Sequence, residues 1–322
     1  MRYLILGGNG VFGVHTAKHL LVNHEVKCVG RNPEKPDHFT LGLKEYPNYS
    51  YEHIHVVNET WRLVNLIEDW SPNVIVNFAA QGEGALSWSH FEWFYQTNTI
   101  FISRITEELI NRNFGGRWVQ IGTSELYGSC PRAMTEEDPV KPTSPYAVSK
   151  AAGDLHLLAL KNMDFPFNII RPSNCYAPGQ RLHRVIPKAV VCGLSGRYLP
   201  LQGGGKVKKS YLHAKDLARA IEIVSQGPLG EVYNVGPDEP VSIFEVVQKV
   251  AEWIPMPFDE LVQIVPGRKT EDSMYWLDSS KIKSLGWKQT IGLEQGMAQM
   301  VDWGRENIEA LKNEPMDYVL TP

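Results

Sequence analysis

The chain has 322 residues, a formal net charge of −4, 43% hydrophobic residues and 21% charged ones. That balance is ordinary for a folded globular protein and too mild to ask for nucleic acid or a membrane surface as partner. The four cysteines, Cys28, Cys130, Cys175 and Cys192, show no CxxC spacing and no histidine cluster, so free thiols and no metal are expected.

The first stretch, "RYLILGG", opens on a strand pattern without a charged-then-apolar leader. No signal peptide is expected, and the cytoplasm is the expected compartment. No apolar run is long enough to span a bilayer. "YLILGGNGVFG" reads as a buried strand, a glycine turn and the start of a helix that continues through "VHTAKHLLVN". "EVKCVGR" and "YEHIHVV" read as strands, "WRLVNLIEDW" as a helix and "NVIVNFAAQ" as the next strand. A long helix covers "FEWFYQTNTIFISRITEELINRN". "RWVQIGTS" is a fifth strand, "SPYAVSKAAGDLHLLALKNM" a helix and "FNIIRPSN" a sixth strand. Strands alternating with helices predict an α/β fold, a doubly wound parallel sheet with helices on both faces.

After Asn174 the rhythm breaks at Pro178, Pro187, Pro200 and the Gly203–Gly205 run, which mark loops and short elements. "SYLHAKDLARAIEIVSQ" then gives a strand and helix, and "EVYNVG" a strand. "VSIFEVVQKVAEWI" gives a helix that Ser242 can cap. Two more helices follow in "YWLDSSKIKSLGW" and "IGLEQGMAQMVDWGREN". The expected division is a sheet domain over 1–172, rejoined by about 210–236, and a smaller C-terminal α/β lobe from 173–209 and 237–315.

Gly7, Gly10 and Gly13 form GxxGxxG between the first strand and its helix. Glycine permits the tight turn and lets the backbone approach a pyrophosphate, while the helix N-terminus offers unpaired N–H groups. The turn, with Asn9, Val11 and Phe12, is therefore a candidate dinucleotide cradle. At the end of the second strand an acidic residue would read the 2′-hydroxyl of NAD, and an arginine would accommodate the 2′-phosphate of NADP. The residue here is Arg31, so the cofactor is NADP or NAD, leaning to NADP.

Tyr146 and Lys150 lie one helical turn apart on one face. A cation about 4 Å from a phenol favours the phenolate by roughly 4 kcal/mol at an effective dielectric near 20. That is about three pK units, enough to make a base near neutrality. Thr123, at the neighbouring strand end, can hold the same substrate hydroxyl.

"GGNGVFG", "TSELYG", "YAVSK", "RPSNCYAPGQ" and "EVYNVG" resemble the extended short-chain dehydrogenase/reductase family, in particular its nucleotide-sugar epimerases, dehydratases and decarboxylases. The resemblance spans nearly the whole chain. It implies a Rossmann-type NAD(P)-binding domain, a nucleotide-sugar-binding C-terminal lobe, and a cofactor that stays bound and is reduced then re-oxidised within one turnover. It also implies a homodimer through a four-helix bundle near residues 92–112 and 145–162, with a tetramer as the alternative. By the same resemblance Asn58, Ala79, Ala80, Gln81 and Asn98 join the cofactor site.

Glu125 then acquires a role. In the family's 4-epimerases this position is usually not acidic, whereas in its 4,6-dehydratases a glutamate here removes the C5 proton once C4 is a ketone. Members acting on deoxythymidine substrates read "TDE", with the aspartate donating to the leaving hydroxyl; this chain has Ser124. "TSELYG" and Arg31 are closer to the GDP-mannose 4,6-dehydratase pattern, although "TSE" also occurs in UDP-glucuronate decarboxylases.

For a nucleotide-diphosphate sugar, the resemblance assigns Asn174 to the sugar or phosphate, Lys209 to a position usually held by arginine, and Arg268 to the diphosphate. Arg184 is a weaker diphosphate candidate. The segment "AAQGEGALSWSHFEWFYQTN" departs from the family: Gln81 fits, Gly82 and Gly84 remove walls from the sugar site, and Glu83 is a candidate sugar contact. The aromatic residues Trp88, Trp93 and Tyr95, with His90, read as core or dimer packing. The expected activity is that of an NDP-sugar 4,6-dehydratase. The alternatives are an epimerase or decarboxylase of the same family and, from another class, a non-catalytic dinucleotide-binding regulator.

Overall fold

The computed structural model describes residues 1–267 and 272–320. β1 (Arg2–Leu6), β2 (Glu25–Gly30), β3 (Tyr49–His53), β4 (Val74–Asn77), β5 (Arg117–Ile121) and β6 (Phe167–Pro172) form one parallel sheet with the late strand Glu231–Val235. The order runs Glu231–Val235, β6, β5, β4, β1, β2, β3. The direction of strand addition therefore reverses at β1, which has β2 on one side and β4 on the other, and a ligand crevice is expected beyond the carboxyl ends of these strands.

Alternation along β1 builds two cores at once. Tyr3 and Ile5 pack on one face with Val14 and Ala17 of α1 (Val11–Leu20) and with Leu217 and Ile221 of the helix Ala214–Gln226. Leu4 and Leu6 pack on the other with Ile67, Phe101, Ile105 and Leu157 from three further helices. β4 and β6 are buried along their whole lengths, as strands of a parallel sheet covered on both faces must be. A separate apolar cluster holds the C-terminal part, with Val190, Val247, Val250, Met300 and Trp303 at its centre.

The boundaries differ from the sequence pattern in two useful places. β3 ends at His53, where its partner β2 ends in register with it at Gly30; His55, Val56 and Val57 beyond it line a cavity. The helix expected over 91–113 is helical but not uniform. Phe91–Tyr95 and Phe101–Asn111 are α-helical, and Gln96–Ile100 between them is a π-helix. Such a turn re-aims side chains and is common at functional sites. The helix Ile243–Ala251 starts as expected, with Ser242 and Glu245 forming a reciprocal capping box.

Candidate active site

The cofactor cradle is built by backbone. Gly7 has φ +77°, and a Cβ there would lie 2.9 Å from the Ala79 nitrogen on β4's exit. A Cβ at Gly13 would meet Gly8 Cα at 2.7 Å. The turn can close only without those side chains. α1 begins at Gly10 with no side-chain cap and no acidic residue in its first turn, so its leading N–H groups remain available for an anion. Asn9 staples this turn to the loop after β2, donating to the Pro33 carbonyl at 2.9 Å and accepting from the Lys35 N–H at 3.1 Å. A cavity of about 310 Å³ lies here, lined by Gly7, Asn9, Gly10, Val11, Phe12, Gly13, Arg31, Ala79, Ala80 and Gln81 among others. These residues fit the pyrophosphate, adenosine ribose and nicotinamide of a dinucleotide.

A second cavity, about 680 Å³, adjoins the first and shares Phe12, Ala80, Gly82, His183, Arg184 and Tyr318 with it. Thr123, Ser124, Glu125, Tyr146 and Lys150 line it. β5 ends at Ile121 and the chain stays extended through Thr123, whose hydroxyl accepts from the Glu125 N–H at 3.2 Å and so turns Ser124–Tyr127 into a tight 3-10 turn. Tyr146 opens the helix Pro145–Ala159, where Ser144 caps and Pro145 fills the first position. Glu125 Oε2 and the Tyr146 ring each lie 3.7 Å from the point where a Gly84 Cβ would stand. The carboxylate and the edge of the Tyr146 ring therefore meet around one point, and both residues line the larger cavity.

The electrostatics of the protein alone differ from the simple expectation. Burial pushes the Tyr146 phenol up, the Glu125 charge pushes the same way, and the hydrogen bond with Thr123 opposes them. Burial also disfavours the charge of Lys150 and brings it down to about 8, with Asp154 resisting that shift. Its Nζ donates to the Ile121 carbonyl at 2.6 Å. A depressed tyrosine is thus not a property of the chain by itself. Glu125 is pushed above the usual carboxylate range by burial; Lys209 is the strongest charge pulling it back and Arg184 the next, with Glu83 and Asp272 acting against them.

A family model described as "NAD dependent epimerase/dehydratase family" matches residues 3–236. The chain belongs to that family. The family's extended short-chain dehydrogenase/reductase character agrees with the parallel sheet and the glycine turn. Among curated relatives, the dTDP-D-glucose 4,6-dehydratase of Mus musculus is 31% identical over 97% of this chain and 91% of its own length. The low-salt glycan biosynthesis protein Agl12 of Haloferax volcanii is 30% identical over 94% of this chain and 98% of its own length. Among solved structures, DesIV, a dTDP-glucose 4,6-dehydratase from Streptomyces venezuelae with NAD and TYD bound, superposes with a TM-score of 0.88 at 29% identity, covering 95% of this chain and 98% of that one.

Within this epimerase/dehydratase enzyme, most of the expected site residues gather around the two cavities. Glu83, Asn174, Arg184 and Lys209 line the larger one. Glu83 and Arg184, expected separately, form an ion pair at 3.4 Å, and Arg184 also donates to the Gly82 carbonyl at 3.0 Å. Arg268 lies outside the described residues. Asn58 does not line the cofactor cavity; it is exposed beyond Val57, with its N–H on His55. Asn98 lines neither cavity. Fully buried on the π-helix, it clamps the Gln81 backbone from both sides, at 2.9 and 3.0 Å, and donates to Ser149 at 2.9 Å. Ser149 in turn donates to the Tyr146 carbonyl at 2.7 Å.

The four cysteines are free; Cys175 lines the larger cavity with its thiol pushed up by burial, the wrong direction for a nucleophile. Among the described residues no His/Cys/Asp/Glu group could hold a metal, and no helix is long and apolar enough to cross a membrane.

Sequence reasoning missed the support beneath the site. Asp154 and Arg171 form a buried ion pair at 3.0 Å. Arg171 also donates to the Tyr127 hydroxyl at 2.8 Å, and Tyr127 donates to Asn234 at 3.1 Å. The signal was present: Asp154 stands one further helical turn beyond Lys150, an acidic residue on an otherwise buried face. His183, Tyr318, Lys35 and Arg181 were also missed; their loops carry no periodicity to read.

Proposed function

We propose that the protein is a nucleotide-diphosphate-sugar 4,6-dehydratase. The observation carrying this reading is the convergence of Glu125 and Tyr146 on one volume beside the glycine cradle. A nicotinamide dinucleotide held by the glycine turn and the residues of the smaller cavity would supply hydride acceptance at C4 of the sugar and hydride return at C6. Tyr146 takes the C4 hydroxyl proton, while Thr123 hydrogen-bonds the same oxygen. Lys150 stands one turn from Tyr146, and its charge together with that of the oxidised nicotinamide offsets the upward push of burial. Glu125 removes the C5 proton, which the C4 ketone has acidified. Its raised pKa suits a base that must give the proton back. The C6 hydroxyl leaves as water, with Ser124 or protonated Glu125 donating to it. Asn174, Lys209, Arg184 and Arg268 are assigned to the sugar and diphosphate, with Gln81 and Glu83 at the sugar.

A second reading is epimerisation or decarboxylation from the same ketone. Ser124 favours it, because the carboxylic acid that assists the leaving hydroxyl in deoxythymidine-type dehydratases is absent there. Products formed from a panel of GDP-, UDP-, CDP- and dTDP-sugars decide by mass: loss of water, loss of carbon dioxide, or no change. Glu125→Gln should still form a transient C4 ketone but stop solvent deuterium entering C5. Normal deuterium entry in that variant would remove Glu125 from the reaction.

The cofactor is an NAD-type dinucleotide. NAD is what the solved DesIV relative holds; Arg31 at the end of β2 favours NADP in this chain. We also infer a homodimer. Ile100, Val148 and Leu155, exposed by 42%, 37% and 54%, stand on the two helical segments expected to pair across it. The cytoplasm is the inferred compartment.

A further inference from the structure

Lys209 is the strongest charge drawing the Glu125 carboxyl down, yet a lysine is a point charge on a flexible stem and holds no place by itself. It stands on the two-residue strand Lys208–Lys209, which runs antiparallel to Val241–Ser242 and parallel to Met274–Tyr275. Tyr275 is the residue in register with Lys209 across that parallel pair, so the two side chains leave the same face as neighbours. The Lys209 Nζ lies 5.6 Å from the centroid of the Tyr275 ring, within reach of a cation–π contact. Tyr275 is 7% exposed, and a ring shielded from water attracts a cation more strongly than an open one.

The ring is fixed in its turn. Its hydroxyl donates to Asp272 Oδ2 at 2.8 Å. The same carboxylate accepts from Thr143 Oγ1 at 2.6 Å and from Ser129 Oγ at 2.9 Å. Ser129 follows the tight turn Ser124–Tyr127 that carries Glu125, and Thr143 precedes Ser144, the cap of the Tyr146 helix. Two main-chain donors reinforce the tie: the Cys130 N–H to the Met274 carbonyl at 2.9 Å, and the Ser273 N–H to Ser129 Oγ at 3.0 Å. One carboxylate thus gathers hydroxyls from beside the Glu125 turn, from the start of the Tyr146 helix and from the ring against Lys209.

We propose that Tyr275, anchored by Asp272, is a positioning residue that aims the Lys209 ammonium at Glu125. The proposal rests on the reading of Glu125 as the base at C5 and adds what sets its readiness to ionise. The charged groups around Glu125 are Lys209 and Arg184, which favour the carboxylate, and Glu83 and Asp272, which oppose it; the Tyr146 ring stands beside it. Arg184 is paired with Glu83 at 3.4 Å, so the balance depends most on where Lys209 stands. Without the ring the ammonium gains other orientations, and its pull on Glu125 fades with distance.

The test titrates the Glu125 carboxyl itself in the full-length protein, by infrared difference spectra against Glu125→Gln across pH. Lys209→Ala should raise the midpoint by about one pH unit, the lower end of what a nearby opposite charge produces. Tyr275→Leu should raise it by at least about half as much, and Tyr275→Phe, which keeps the ring but not the bond to Asp272, by a smaller amount. Tyr275→Met, also without a ring face, takes the place of the leucine variant should that one not fold. On a Lys209→Ala background the same change at Tyr275 should add nothing, because both act through one charge; a loss of packing alone would act on either background. An unmoved midpoint in Tyr275→Leu or in Lys209→Ala, or a Tyr275→Leu shift that persists in full without Lys209, overturns the proposal. Solvent-deuterium entry at C5 in Glu125→Gln tests the base reading separately: midpoints that move as expected, with normal deuterium entry, would leave the arrangement standing and remove Glu125 from the reaction.

Discussion

Lys150 donates its ammonium to the Ile121 carbonyl at 2.6 Å, at the end of the strand that leads to Thr123. Beside the hydrogen bond between Thr123 and Tyr146, the contact ties the helix of Tyr146 to the strand that leads into Thr123 and Glu125 through a main-chain hydrogen bond from a charged donor. Such bonds are roughly twice as strong as neutral ones. The ammonium survives burial because Asp154 lies one turn further along the helix, itself paired with Arg171.

Asp154→Asn should therefore act twice. It leaves Arg171 buried and unpaired, a loss of about 3–5 kcal/mol measurable by denaturant unfolding. It also removes the charge that keeps burial from taking Lys150 below about 8. Lys150 must be protonated to favour the phenolate, so the alkaline limb of the kcat profile should move to lower pH. A profile unchanged in position would separate Asp154 from the reaction.

Glu125→Gln should be less active and more stable. Burial raises the Glu125 carboxyl, so the folded state prefers its protonated form. Ionisation then costs stability as pH rises from the unfolded value, about 4.3, through the higher folded one. The variant bears no such cost. Its thermal midpoint should match that of the unaltered protein in acid and exceed it at neutral pH. A constant gap across pH would mean that the carboxyl is solvated.

Lys209→Ala tests the same group from outside. Lys209 is the strongest charge pulling Glu125 down, so its loss should raise the carboxyl further. The acidic limb of C5 deuterium exchange should shift to higher pH, alongside weaker sugar-nucleotide binding. Weaker binding with an unmoved limb would confine Lys209 to the substrate.

Asn98→Ala removes the clamp between Gln81 and Ser149 and leaves the Gln81 main chain unsatisfied in a buried place. The expected loss is about 1–3 kcal/mol for each group left without a partner. Because Ser149 leans on the Tyr146 carbonyl, kcat should fall more than KM rises. Asn98→Asp, which retains the acceptor for the Gln81 N–H, should recover part of it.

Leu155→Glu probes association. Leu155 is 54% exposed on the helix that carries Tyr146. A charge in the proposed helix-bundle interface should shift sedimentation to the monomer, while the same change at Met163, 59% exposed just beyond that helix, should do less. A species that sediments identically before and after Leu155→Glu would rule out this interface.

The parallel sheet, the glycine turn and the Thr–Tyr–Lys set were legible because each is a local pattern. β1 and α1 are adjacent in sequence, and YxxxK needs only a helix to bring its two side chains together. The π-helix was not legible: an extra residue within a turn leaves the apolar periodicity nearly intact, yet it turns Asn98 inward. The resemblance put Asn58 at the cofactor, but β3 stops with its partner at Gly30 and His55–Val57 line the cavity wall instead.

By itself the amino-acid order determined the fold class and the family and singled out the candidate reactive side chains, since periodicity and short motifs are properties of neighbouring residues. Only the tertiary structure decided their electrical surroundings. Whether a phenol is raised or lowered depends on what buries it, and the Glu83–Arg184 pair, the Asp154–Arg171 pair and Tyr318 on Arg31 join segments separated by long stretches of chain. Desolvation and charge act through space, so no spacing along the sequence records them.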